Sequence, residues 1–346
     1  MVLGLSVLFV AIYKKYFPSL FQRIDAIIQR LKVINFFDDS KFLTRSDVLF
    51  VCHDVDRPMV VNGRAYSPLI DSVRSEFESL GFVCSSIALP WSKLKRFRAY
   101  GAPVSINRSY AIFLFCKGVC SFLKLSNDCK FFNPYEGVMQ KTEAKLIISI
   151  GSPRYLANAA RANQIFHVEL LHAFGYSKVE WGWEKFPAAD LPQGILSLDE
   201  VSTASFSLLR EKGIEIKTIP HPFLKKFLTK EKLGILDESN FDFNSDQAFT
   251  KIILISLNWG YDGDHGEFHH FSGILKNGLF ACELGELIDE FPNILWLIRL
   301  HPVQMMGKQY KGARDYINDF VSKRTNCEWR RASQMPFPSV ARQCDG

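Results

Sequence analysis

The sequence lacks the short motifs of several large enzyme classes. It contains no G-x-G-x-x-G, no Walker A loop and no G-x-S-x-G, so a dehydrogenase, a P-loop NTPase and an α/β-hydrolase lose their main support. None of its eight cysteines forms a C-x-x-C pair. Their irregular spacing favours reduced thiols in a cytoplasmic protein over a disulfide framework.

The chain also lacks an apolar run long enough to cross a bilayer. Residues 1–13 are nearly all apolar, but a spanning helix needs about 20 residues. Positive charge follows this run rather than preceding it, which argues against a signal peptide. Residues 20–33 then place apolar side chains at helical spacing with basic residues elsewhere. Two interpretations stay open: an interfacial anchor at the inner face of the plasma membrane, or a helix packed on its own domain.

A strong overall excess of one charge is missing as well. The net charge is +6, from 42 Lys and Arg against 36 Asp and Glu, and the excess is spread along the chain. This balance permits contact with nucleotide phosphates or lipid headgroups, and we expect no nucleic-acid partner. With 346 residues, 47% of them hydrophobic, the chain is long enough for about two domains of roughly 150 residues.

Short apolar runs alternate with helical patterns along most of the sequence. Such alternation predicts an α/β fold with parallel sheets. We expect a helical segment over 1–46, a Rossmann-like domain over 47–228, a polar linker over 229–250 and a second Rossmann-like domain over 251–346. Residues 91–100 and 105–124 are predicted to be helices. Because each strand-helix unit takes about 30 residues, the second domain is expected to be truncated.

Polar side chains stand where several predicted strands end, the edge at which open α/β sheets bind ligands. In the second domain, Arg299, His301 and Pro302 lie at such an end. The proline forces an extended exit from the strand, and the guanidinium and imidazole are good phosphate ligands. The competing interpretation is a histidine that only caps a loop.

A glycine-rich polar loop follows the first strand of the second domain and carries Asn258, Tyr261 and Asp262. Its glycines permit a close approach of the backbone to a ligand. A calcium loop is not indicated, because Gly273 stands where position twelve needs a carboxylate. We therefore expect a solvated or substrate-contacting loop rather than a metal site.

The first domain supplies candidates for proton transfer. Glu169 and His172 stand near the end of a predicted strand, and a carboxylate or an imidazole can serve as a general base. A buried, hydrogen-bonded pair is the alternative. Asp71 follows a helix start that also carries Arg64 and Ser67, a place where anions bind. A capped helix beside a surface loop would explain these three residues equally well.

Taken together, segments 67–71, 168–172, 257–262 and 299–302 resemble those of GT-B glycosyltransferases of bacterial capsule and lipopolysaccharide biosynthesis. The resemblance covers residues 47–346 and implies two Rossmann-like domains that face a cleft, with the acceptor on the first and the nucleotide sugar on the second. The His-Pro pair is similar to the one with which CMP-sugar transferases hold the donor phosphate. Leu171-His172-Ala173 departs from the Gln-His-Gly more common in the family.

The resemblance implies a transferase that moves a sugar from a CMP- or UDP-linked donor to a glycan or lipid-linked acceptor, without a metal or other cofactor. The implied donor-binding residues are Asn258, Tyr261, Asp262, Arg299, His301 and Pro302. Arg64 and Ser67 would bind the acceptor, and Asp71, Glu169 and His172 are the catalytic candidates. A nucleotide-sugar 2-epimerase of the same fold and a non-catalytic scaffold in polysaccharide assembly are the two alternatives.

Overall fold

The computed structural model describes residues 40–122, 133–224, 249–257, 282–300, 311–330 and 344. They divide into two compact units: 40–58 with 63–224 in the first, and 59–62 with the residues from 249 onward in the second. The predicted segment 1–46 lies outside the described residues except for its last seven residues, and the predicted linker 229–250 except for its last two. Both stay predictions.

Twelve strands and seven α-helices are described. The strands are β1 Val48–Cys52, β2 Met59–Val61, β3 Arg64–Tyr66, β4 Cys84–Ala88, β5 Val104–Ser105, β6 Leu146–Ser149, β7 Phe166–Leu170, β8 Gly194–Ser197, β9 Glu215–Thr218, β10 Lys251–Ser256, β11 Ile294–Arg299 and β12 Cys327–Arg330. The helices are α1 Ile70–Ser79, α2 Asn107–Phe122, α3 Glu136–Thr142, α4 Arg154–Ala162, α5 Glu200–Phe206, α6 Cys282–Glu290 and α7 Lys311–Ser322.

The first unit is built on a seven-stranded sheet in the order β5-β4-β1-β6-β7-β8-β9. All its neighbouring strands are parallel. Every residue of β1 is buried, as expected of a central parallel strand covered on both faces. Leu49 and Val51 pack in a cluster with residues of α3 and α4, whereas Phe50 packs with the start of α1 on the opposite face.

The second unit contains a three-stranded parallel sheet in the order β10-β11-β12. The apolar run of β11 places Trp296 and Ile298 against Ile288 of α6 and Ile317 of α7. On the opposite face of β11, Leu297 packs in a cluster with Ile252 and Leu254 of β10. The predicted α/β class with a parallel sheet in each half is therefore confirmed.

One predicted helix is wrong. Residues 91–100 form a loop with a single short 3₁₀ turn at Arg96–Arg98. Trp91 has a φ of 70°, in the left-handed region that a helix cannot use. Its N–H donates to Asn107 Oδ1 (2.6 Å), and the Lys93 N–H donates to Asp54 Oδ2 (2.6 Å). These side chains from distant segments take up backbone groups that a helix would use internally.

None of the described helices is long and apolar enough to span a bilayer. The apolar and amphipathic segments for which a membrane contact was predicted lie outside the described residues.

Candidate active site

The strand order of the first sheet creates a crevice at its carboxyl edge. From β1 the chain moves outward to β4 and β5, then returns to β6 on the other side of β1 and moves outward again. The loops after β1 and β6 therefore diverge, which leaves the switch-point crevice where open α/β sheets bind ligands. The candidate site consists of the loop after β1, the loop after β6 and the end of β7.

The loop after β1 is ordered by its own side chains. The Val55 N–H donates to His53 Nδ1 (3.2 Å), and the His53 N–H donates to Asp56 Oδ2 (2.9 Å), a reciprocal capping arrangement. Because Nδ1 of His53 accepts, Nε2 carries the proton of the neutral ring. Burial raises the pKa of Asp56, while the hydrogen bond from His53 and the nearby His172 lower it in part.

Asp54, in the same loop, has a structural role. Its carboxylate accepts hydrogen bonds from Ser92 Oγ (2.7 Å) and from the backbone N–H groups of Lys93 (2.6 Å) and Leu94 (3.3 Å). Asp54 thus ties the loop after β4 to the loop after β1. The half-buried Asp56 is the carboxyl group of this loop whose charge interacts with His172 and Glu169.

Glu169 lies on β7 beside Ser149 of β6, and only 1% of its surface is exposed. Its carboxyl accepts hydrogen bonds from Ser149 Oγ (2.6 Å) and from the backbone N–H groups of Gly151 (2.5 Å) and Ser152 (3.2 Å). Burial nevertheless raises the pKa of Glu169 to about 8, against these hydrogen bonds, and the charge of Asp56 raises it further. A carboxyl pKa raised this far suits a general acid or base, whose ideal pKa lies near the operating pH.

A buried hydrogen-bond chain continues from Glu169 into the sheet. Ser149 Oγ, which donates to Glu169, lies 2.8 Å from His167 Nε2. Burial lowers the pKa of His167 to about 3, so the imidazole is neutral. With Ser149 donating to Glu169, His167 Nε2–H donates to Ser149, and His167 Nδ1 is left buried without a hydrogen-bond partner. This chain fixes the orientation of the Glu169 carboxyl.

His172 lies beyond the strand, because β7 ends at Leu170. The ring is exposed, and its Nδ1 lies 3.3 Å from the Tyr176 hydroxyl. Glu169 is hydrogen-bonded to Ser149 and to the loop after β6 rather than to His172. The structure thus brings Asp56, Glu169 and His172 to one edge without making a buried Glu169–His172 pair.

Asp71 occupies a structural position. Its side chain is fully buried, and its Oδ2 accepts from Arg57 Nη1 (2.5 Å) and from the Ser67 N–H (2.7 Å). Arg57 is also buried and donates to Tyr100 O (3.1 Å). Ser67 is buried with Asp71, whereas Arg64 on β3 is exposed. The catalytic role of Asp71 stays a prediction, and its contacts are those of an ion pair that joins a loop to α1.

Of the predicted donor-binding residues, the structure describes Arg299. It ends β11 and is half-buried, and burial lowers the pKa of its guanidinium. The others lie outside the described residues: Asn258, Tyr261, Asp262, His301 and Pro302. In the part of the chain that is described, no three His, Cys, Asp or Glu side chains are grouped to hold a metal ion.

Sequence reasoning missed Asp56. A usable signal existed, because Asp56 stands three residues after a histidine that ends a strand, which is the spacing of a reciprocal cap.

No family model matches the chain, and no curated protein matches it. Among solved structures, it is similar to UDP-GlcNAc 2-epimerase from Neisseria meningitidis bound to UDP-GlcNAc, with 13% identity and a TM-score of 0.47 over 86% of this chain and 76% of that one. It is also similar to UDP-N-acetylglucosamine 2-epimerase from Rickettsia bellii, with 14% identity and a TM-score of 0.38 over 83% of this chain and 68% of that one. At these values neither structure assigns an activity to this chain.

Proposed function

We propose that the chain is an enzyme that acts on a nucleotide sugar and moves a proton through Glu169. The observation that carries the proposal is a desolvated carboxyl group, with its pKa raised to about 8, at the switch-point crevice of a parallel sheet. Asp56 and His172 stand beside it as accessible polar groups. A positioned base of this kind typically contributes about 10²–10⁴-fold to a rate.

The first candidate reaction is glycosyl transfer to a growing cell-surface polysaccharide or lipopolysaccharide. Glu169 would take the proton of the acceptor hydroxyl, with the exposed Arg64 on the acceptor side. Arg299 and His301 would bind the donor phosphates, and no metal ion is needed for these roles. The support for transfer is the sequence resemblance and the half-buried guanidinium at the end of β11.

The second candidate reaction is 2-epimerisation of the nucleotide sugar. In this reaction a base takes the proton from C2 while the bond between C1 and the nucleotide breaks. Water then adds to C1 and a proton returns to the other face of C2, which gives free nucleotide and an epimerised sugar. One observation favours it: complete burial makes Glu169 a stronger base than an exposed carboxylate, which suits removal of a proton from carbon. The products separate the two reactions. Free nucleotide with an epimerised sugar and no acceptor indicates epimerisation, whereas nucleotide release that requires an acceptor indicates transfer.

A nucleotide panel tests the shared part of the proposal. With CMP, UDP, GDP and CDP added in turn, we expect one to raise the melting temperature, because a ligand at 100 times its Kd stabilises the folded state by about 2.7 kcal/mol. His301→Ala should reduce that rise, with the melting temperature of the unliganded variant as its baseline. Silence toward all four nucleotides would instead favour the scaffold interpretation.

A further inference from the structure

The loop after β4 carries a dense group of basic side chains around an exposed aromatic ring. Lys93, Lys95, Arg96 and Arg98 fall within six residues and surround Phe97, whose side chain is 74% exposed. We call these five residues the basic-aromatic patch. A single exposed apolar side chain is common on a protein surface, so the feature of interest is its combination with four cations in one short loop.

The patch is held in place by the rest of the first unit. Asp54 accepts from the backbone N–H groups of Lys93 and Leu94, and the Asn107 side chain holds Trp91 and Ser92. Arg96 donates to the Ala102 carbonyl (3.3 Å). The loop therefore presents its side chains from a fixed backbone, so binding requires little ordering of the chain.

A second aromatic ring extends the patch. The guanidinium of Arg96 lies over the ring of Phe42 (4.1 Å to the centroid) and near that of Phe97 (5.5 Å). The Lys41 ammonium also lies over the Phe42 ring (5.0 Å). Through Arg96, the rings of Phe42 and Phe97 and the ammonium of Lys41 thus belong to one group of neighbouring side chains.

The positive charge of the patch has no acidic partner within the described residues. No ion pair there involves its four cations, and the carboxylate that holds this loop, Asp54, accepts hydrogen bonds from Ser92 Oγ and backbone N–H groups. The positive charge of the patch can therefore attract an anionic surface. Each basic residue near an anionic membrane contributes about 1 kcal/mol to the binding free energy.

We propose that the basic-aromatic patch binds the surface of an anionic lipid membrane, with the cations on the headgroups and Phe97 in the acyl boundary. The exposed phenyl ring favours lipid over a purely ionic partner, because it gains free energy only where it leaves water. This proposal is independent of the reaction. It concerns residues other than those of segment 1–33, for which the sequence left a membrane anchor as one of two interpretations.

Vesicle partition of the full chain tests the proposal. Sedimentation is measured with phosphatidylcholine vesicles that contain or lack phosphatidylglycerol. Lys93→Gln/Lys95→Gln should weaken binding to the anionic vesicles about 25-fold, from roughly fivefold per cation. Phe97→Ala should weaken it as well, and Lys93→Arg/Lys95→Arg should retain it. Added salt should reduce wild-type binding.

The controls lie at the opposite edge of the sheet. Lys145 precedes β6, and Phe82 precedes β4; both side chains are exposed. Lys145→Gln and Phe82→Ala should bind vesicles as the wild type does. The proposal is wrong if the patch variants bind like the wild type, which would leave any membrane contact to segment 1–33. It is equally wrong if they lose affinity for a short DNA duplex while vesicle binding is unchanged, or if Phe97→Ala has no effect.

Discussion

Glu169→Gln is expected to lower turnover of the nucleotide sugar by about 10²–10⁴-fold. The amide cannot take up a proton, yet it keeps the size of the carboxyl group. Its oxygen can accept from the Gly151 N–H, and its NH₂ can donate to Ser149 Oγ, so only the long 3.2 Å bond from Ser152 is lost. The affinity for nucleotide, measured by thermal shift, should therefore stay close to that of the wild type.

The pH profile gives this prediction a second readout. If Glu169 acts as the base, wild-type activity should rise with pH and reach half its maximum near the Glu169 pKa of about 8. The residual activity of Glu169→Gln should lack that midpoint. An unchanged midpoint in the variant would assign the titration to another group and contradict the role of Glu169.

The stability of the same variant should move in the opposite direction to its activity. Burial raises the folded-state pKa of Glu169 from 4.5 to about 8, so folding favours the protonated form. The stability that this supplies is present below pH 4.5 and is lost as the pH rises to 8. Glu169→Gln has no carboxyl group to ionise, so it does not lose this stability as the pH rises. Its melting temperature at pH 8 should equal or exceed that of the wild type. A stable but inactive variant is the signature of a functional rather than a structural carboxyl.

Asp71→Ala should cost about 3–5 kcal/mol in the free energy of unfolding. The substitution leaves the Arg57 guanidinium buried without its 2.5 Å partner and removes the acceptor for the Ser67 N–H. Urea unfolding of the purified variant measures the effect as a lower midpoint. The double variant Arg57→Met/Asp71→Leu should recover most of the loss, because replacing both members of a buried ion pair by apolar side chains is often neutral.

Glu169 and Asp71 are thus expected to have different roles, although the sequence made both of them catalytic candidates. Glu169→Gln should lose activity and keep stability, whereas Asp71→Ala should lose stability first. An Asp71→Ala variant that unfolds at the wild-type midpoint but has no activity would reinstate Asp71 as the base.

The sheets could be predicted because their signal is local. Apolar runs such as β1 and β11 have the length of a buried parallel strand, and the helical patterns between them required crossover connections. Polar residues at strand ends followed from the same reasoning, since parallel strands bring their carboxyl ends to one edge. Glu169 and His172 became candidates in this way.

What the sequence could not show depends on contacts between distant segments. Residues 91–100 have a helical pattern, but Asp54 and Asn107 hold them as a loop from 39 and 16 residues away. The same holds for Asp71, whose ion pair with Arg57 spans 14 residues. No sequence motif fixes the spacing between Asp54 and Lys93 or between Arg57 and Asp71.

The most direct test of the central claim is nucleotide release by the wild type and Glu169→Gln across a panel of CMP-, UDP- and GDP-sugars, with and without a glycan acceptor. The wild type should release nucleotide from one donor class, and Glu169→Gln should release it about 10²–10⁴-fold more slowly while binding the same nucleotide. Equal release by the two proteins, or no release by the wild type from any donor, would contradict it.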